Sequence, residues 1–248
     1  MRNYKMLLSL IGVFCIFTLT ACDKMEDWFG GDDSKKDNIN RGLVLHYNFD
    51  DATVNDLTAN EYHGVAFNQP TYITDTPNQQ GKALSLNGFK DQAVSIPYNP
   101  VADSSYFAVS FWLKDFTPGY IFTAMSANSN YDALSVRVVS DPRVFQVWTE
   151  ERESETFSNY DYSGIQSGAW HHLVIEVSKI SDERYLLLYV DGVLADRIQI
   201  WRSSSSALKF QIGNNAAETV SFKIDNFRLY NRSLTAKEVK MIYDAERK

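Results

Sequence analysis

Cysteine is nearly absent from this 248-residue chain: it occurs at positions 15 and 22 and nowhere after them. The body therefore has no disulfide to staple it. Its stability must come from an ordinary hydrophobic core, which about 200 residues suffice to bury. A positive excess is missing too. With 24 Lys+Arg against 31 Asp+Glu the net charge is -7, and no basic stripe is available to meet a phosphate backbone, so a nucleic-acid partner is disfavoured. The sequence also lacks an uninterrupted apolar run of the roughly 20 residues that a membrane-spanning helix needs. Glycine-rich phosphate loops, zinc-ligand spacing and a convincing serine-histidine-aspartate set are lacking as well. His171 and His172 are neighbours, which on a strand point to opposite faces, and His46 and His63 stand alone. No shared local metal site arises from them.

The N-terminus carries Arg2 and Lys5, an apolar run from Met6 to Thr20, and then Leu19-Thr20-Ala21-Cys22. Charge, greasy stretch and small residues before a cleavage point make residues 1–21 a secretory signal peptide. The tetrapeptide resembles the bacterial lipobox, and that resemblance implies that Cys22 is lipidated and becomes the new N-terminus. An ordinary cleaved signal with an incidental thiol at Cys22 is the alternative, and a mass measurement separates the two. Loss of the leader removes two cations and no acid, taking the net charge from -7 to -9. Residues 22–41 follow as a polar, acidic, glycine-interrupted segment (DKMEDWFGGDDSKKDNINR after Cys22). Such a composition buries no core and reads as a flexible tether. Its acidic residues near the lipid resemble the surface-export signals of Bacteroidetes lipoproteins, which implies the outer face of the outer membrane.

Residues 42–248 read as one all-β domain. Aromatics make up 14% of the chain, and short β-type runs alternate with turn residues, the pattern of a sandwich or barrel. Phe107, Val109, Phe111 and Leu113 share one face of a period-two run, which predicts a strand with one buried side. Similar runs are 43–49, 82–86, 93–97, 120–125, 133–139, 144–149, 170–178, 185–190, 208–212 and 220–230. Asp191-Gly192 between two of these runs predicts a tight antiparallel hairpin, because such a turn needs positive φ. Only the C-terminus has a helical period. Thr235 and Glu238 have capping-box spacing, and Val239, Ile242 and Tyr243 fall on one face, so a short helix is expected to dock on the sandwich as a lid.

Four stretches, taken in order, resemble the laminin G-like jelly rolls of the concanavalin A-like lectin/glucanase superfamily. They are GLVLHYNFD at 42–50, GKALSLNG at 81–88, WHHLV at 170–174 with YVDG at 189–192, and IDNFRLYNR at 224–232 leading into TAKE at 235–238. The resemblance implies a two-sheet antiparallel jelly-roll β-sandwich. It also implies a non-catalytic binding module, most often for glycan and sometimes steadied by a structural calcium ion. Asp56, Asn60, His63 and Gly64 match the family's turn after the first strand, while Thr58-Ala59 replaces its usual Ser-Gly.

A sugar site needs flat rings for the apolar sugar face and polar groups for its hydroxyls. Trp148, Tyr160, Tyr162 and Trp201 are the candidate rings, with Asn159, Asp161 and Arg202 as polar neighbours. Trp112 and Trp170 flank long apolar runs and are assigned to packing. Asp50 and Asp225 are the candidate calcium ligands, because their strands are neighbours in the family's fold. The bland alternative leaves Asp50 solvated and Asp225 bonding a turn. Glu151, Glu153 and Glu155 superficially offer the paired carboxylates of a glycoside hydrolase. Arg152 and Ser154 between them are not core residues, so a solvated edge or turn is expected instead and no catalysis. The expected partners are thus a glycan and, through the lipid, the outer membrane. Surface adhesion to another protein is the second reading.

Overall fold

The computed structural model describes residues 38–88, 92–96, 98–101, 104, 106–126, 132–140, 143–149, 153–156, 161–165, 168–200, 208–213 and 220–247. Among these, strands numbered in chain order form two antiparallel sheets. The eight-stranded sheet runs in space β13 (Val193–Ile200), β12 (Glu183–Val190), β11 (His171–Ile180), β6 (Phe107–Lys114), β15 (Ser221–Tyr230), β4 (Ala83–Asn87) and β3 (Thr71–Ile73). Its eighth strand, β1 (Leu43–Tyr47), pairs with the second half of β15, whereas β4 pairs with the first half. The seven-stranded sheet runs β10 (Glu153–Thr156), β9 (Arg143–Thr149), β8 (Asp132–Ser140), β7 (Gly119–Ser126), β14 (Leu208–Gly213), β5 (Ala93–Ile96) and β2 (Val65–Phe67). Helix α1 (Ala236–Glu246) follows β15.

Period-two alternation builds the core between the sheets. Phe107, Val109, Phe111 and Leu113 of β6 face Phe122, Val136, Phe145, Phe210 and Ile212 of the other sheet within one buried cluster. The alternate residues of β6, Ala108, Ser110 and Trp112, are also buried, contrary to the expectation of a half-exposed strand. The reason is α1. Val239 and Ile242 of the helix pack on Ala108, Val174, Leu187, Tyr189 and Tyr230, covering the outer face of the eight-stranded sheet with a second apolar layer.

The local signals have the predicted structures. Thr235 caps α1 with both halves of the capping box in place. Asp191 and Gly192 both have positive φ, 52° and 81°, as a type I′ hairpin turn requires. Asp191 additionally ties the turn to the start of β11, accepting from the His172 amide at 2.9 Å and meeting His171 Nδ1 at 2.7 Å. Gly192 packs directly under α1, where an added Cβ would lie 3.0 Å from Lys240 and 3.2 Å from Tyr243.

Candidate functional site

The outer face of the seven-stranded sheet lies on the side of the sandwich away from α1. Backbone register lines up one residue from each strand in a row across it: Val65, Ser95, Gln211, Thr123, Ser135, Trp148 and Ser154. A neighbouring row holds Tyr120, Arg137, Gln146 and Thr156. The Arg137 guanidinium sits 5.3 Å from the Tyr120 ring centroid, within cation-π range. Thr123 and Ser135, mid-row, are buried, and the Ser135 hydroxyl has no hydrogen-bond partner among the described residues. The middle of this row is therefore closed off, and its accessible groups lie to either side of it.

Of the predicted sugar-contacting residues, Trp148 has its backbone in this row, and its side chain lies outside the described residues. Asn159, Tyr160, Trp201 and Arg202 lie outside them altogether, as does Glu151. Asp161 is exposed. Tyr162 requires correction. It sits in a 3-10 turn (Tyr162–Ile165), is 1% exposed, packs on Phe116 and Phe145, and donates its hydroxyl to the Val139 carbonyl at 2.7 Å. Its ring belongs to the core. Glu153 and Glu155 fall on edge strand β10, the edge expected for that segment.

Asp50 and Asp225 lie near enough for the charge of one to act on the other. The edge of β15 is shared by β1 and β4, and the seam between them falls at a bulge containing Asp225 and Asn226. Asp225 is 2% exposed and accepts from the Asn226 amide at 2.7 Å. Burial, then the charge of Asp50, push its carboxyl up to about 8. Asp50 accepts from the Lys82 amide and from Asn48. It lies so close to Gly81 (φ +72°) that a Cβ there would come 1.7 Å from its Oδ1. Two carboxylates are fewer than the roughly 6–8 oxygens that calcium takes, and among the described residues no third acid or histidine joins them. Asp56, in the family-like turn, is already saturated. It accepts from the His46, Thr58 and Tyr62 amides and the Thr58 hydroxyl at 2.7–3.0 Å.

Sequence reading misses two clusters on the other sheet. Ser110 Oγ and His172 Nε2 are 2.8 Å apart, from strands 62 positions distant in sequence. This serine-histidine pair is sealed beneath α1, and burial, with Arg228 nearby, drives the imidazole down to about 3. His172 Nδ1 has no partner among the described residues, so no carboxylate orients the ring as a nucleophilic triad requires. The second cluster surrounds Trp170, expected to be packing. The indole N–H donates to Asp75 at 3.0 Å, and Asp75 also accepts from Lys114 and Lys223.

The sandwich, the C-terminal helix and the order of the motifs agree with one family model, described as the concanavalin A-like lectin/glucanases superfamily, which matches residues 87–240. The chain belongs to that superfamily. Paraclostridial mosquitocidal protein 1 of Paraclostridium bifermentans is 22% identical over 82% of this chain. The chain spans only 17% of that curated relative's length. Among solved structures, domain 4 of AbnA, an extracellular arabinanase of Geobacillus stearothermophilus solved with arabinotriose, superposes with a TM-score of 0.63. It is 21% identical, and the match covers 81% of this chain and 98% of that one. The binding domain of botulinum neurotoxin DC, solved with SialylT, gives a TM-score of 0.65 at 18% identity, covering 84% and 52%. At these identities the likeness is one of fold.

Proposed function

We propose that this superfamily member is a non-catalytic, lipid-anchored carbohydrate-binding module of the bacterial cell surface, and that it takes glycan on the outer face of its seven-stranded sheet. The observation carrying this reading is the polar and aromatic surface the register builds across that face, with Ser95, Gln211 and Trp148 in one row and the Arg137–Tyr120 pair in the next. Amide and guanidinium groups bond sugar hydroxyls, and an indole supplies the apolar contact that a sugar ring needs. Support comes from relatives of the same fold that were solved with arabinotriose or SialylT. The Ser110–His172 pair, sealed beneath the helix and without a carboxylate on His172 Nδ1 among the described residues, supplies no activated nucleophile.

The test is an array of plant, host and microbial glycans probed with the full-length protein and with Trp148→Ala. Binding to one glycan class that is lost in the variant supports the module. Silence across the array with a folded sample overturns it and favours protein adhesion. That second reading has its own observation: Val65, Phe67 and Tyr98 are each nearly half exposed along the β2–β5 edge. Hydrolysis of any glycan that is lost in Glu151→Gln or Glu155→Gln would restore an enzymatic reading. Lipid attachment is tested separately, by the mass of the N-terminal peptide containing Cys22. Calcium held between Asp50 and Asp225 completes the proposal, as a structural ion neutralising two carboxylates.

A further inference from the structure

Helix α1 covers only part of the outer face of the eight-stranded sheet; its last residue, Glu246, stands over Trp112. Two positions further along β6 comes Lys114, directly opposite Lys223 of β15. Two lysines facing each other across an antiparallel pair repel, and this chain places an anion between them. Asp75, in the loop between β3 and β4, accepts from Lys114 Nζ at 2.8 and 3.0 Å and from Lys223 Nζ at 3.0 Å. It accepts from Trp170 Nε1 at 3.0 Å as well. Lys223 also reaches Asp115 at 2.7 Å, and Lys114 lies 6.0 Å from the centre of the Trp170 ring. The donors belong to three neighbouring strands or their ends, while the carboxylate they share is delivered by a loop.

We propose that Lys114, Lys223 and Trp170 form a second binding site, a carboxylate cradle that the protein fills with its own Asp75 and that a uronic-acid residue of a glycan takes over. Three converging charge-assisted or indole donors form a strong carboxylate receptor. Burial works against ionisation of Asp75, yet the hydrogen bonds from Lys114, Lys223 and Trp170 outweigh it and hold the carboxyl down at about 2. The Asp75 side chain is nevertheless 39% exposed, so the carboxylate that fills the cradle is open to solvent on one side. A competing carboxylate that brings its own contacts can therefore reach the same donors from solvent and displace it. The indole beside the cradle supplies an apolar plane for a pyranose, which favours a sugar acid over an acidic peptide. This site is on the opposite sheet from the Ser135 row and does not depend on it.

The test uses the full-length protein and three probes: D-glucuronate, D-glucose and a short glutamate peptide. Asp75→Asn removes the negative charge that fills the cradle, and we expect it to bind glucuronate about tenfold more tightly than the native chain does, the equivalent of one strong charged hydrogen bond. Adding Lys223→Met removes that gain, and glucose shows none. If folded Asp75→Asn binds glucuronate no better than the native chain, Asp75 is only a clasp and the proposal fails. Equal binding of the glutamate peptide overturns the assignment to a sugar acid. Should Asp75→Asn not fold, the indole N–H resonance of Trp170 in the native protein decides. A saturable shift with glucuronate but not glucose supports the cradle, and no shift overturns it. Neutral-glycan binding lost in Trp148→Ala reports on the other face, so the two readings fail independently.

Discussion

Trp112 donates its indole N–H to Glu246 at 2.7 Å, tying the middle of the eight-stranded sheet to the last turn of α1. Glu246 also pairs with Arg228 of β15, and both side chains are nearly inaccessible. Removing one partner of a buried ion pair leaves an uncompensated charge and costs about 3–5 kcal/mol. Glu246→Ala is therefore expected to lower stability by about 3 kcal/mol in urea unfolding. The double variant Glu246→Leu with Arg228→Met should recover most of that loss. A strictly additive double variant would mean that the pair does not anchor the helix.

Three buried groups and the partly buried His46 shape the dependence of stability on pH. Burial pushes Glu176 from 4.5 up to about 8 and Asp225 from 3.8 up to about 8. Burial, with Arg228 nearby, pulls His46 and His172 from 6.5 down to about 3. The folded state holds protons on the two acids more tightly than the unfolded chain does. Their contribution is full at low pH and is lost as pH rises from about 4 towards 8. It holds protons on the two imidazoles less tightly, so that contribution is full above 6.5 and is lost as pH falls towards 3. The opposing slopes nearly cancel between 4.5 and 6.5, giving a plateau of melting temperature that falls away on both sides. Glu176→Gln keeps an acceptor for the Leu234 amide and should raise stability on the alkaline side while leaving the acid limb unchanged. An unaltered alkaline limb would refute the role assigned to Glu176.

The fold was largely legible because its main determinants are local. The alternation at 107–113, the capping box at 235–238 and the Asp191-Gly192 turn each specify an element without help from elsewhere. Strands β2 and β3, three residues each, are too short to show a period, and β10 is an edge strand rich in acid. The site was less legible because it depends on long-range neighbours. Tyr162 stands among polar residues that suggest a surface loop, yet the 3-10 turn folds its ring onto Phe116 and Phe145. Trp170 sits beside an apolar run that suggests packing, yet it bonds Asp75, 95 positions away. In each case the partners that decide the residue's role lie on other elements of the fold.

Asp225 gives calcium a clear signature. Without an ion, its buried carboxyl and the nearby charge of Asp50 disfavour each other, so Asp225→Asn should raise the melting temperature measured in chelator at neutral pH. With calcium the sign reverses. The native protein should gain stability on adding the ion, by mass action on the folded state, and the variant should not respond. A native melting temperature indifferent to both calcium and chelator would remove the ion from the proposal.

Ser135 separates a binding role from a structural one, because the two predict opposite effects on stability. Its hydroxyl is buried and unpartnered among the described residues, so Ser135→Ala should leave stability unchanged or raise it by about 1 kcal/mol. If the hydroxyl is there to meet a ligand, the same change should weaken glycan binding by about tenfold, the worth of one lost hydrogen bond. A hydroxyl that served only the fold would lose stability on removal and leave affinity untouched. Paired urea-unfolding and glycan-titration measurements on this one variant therefore test whether the outer face of the seven-stranded sheet is the binding surface, whichever sugar the array identifies.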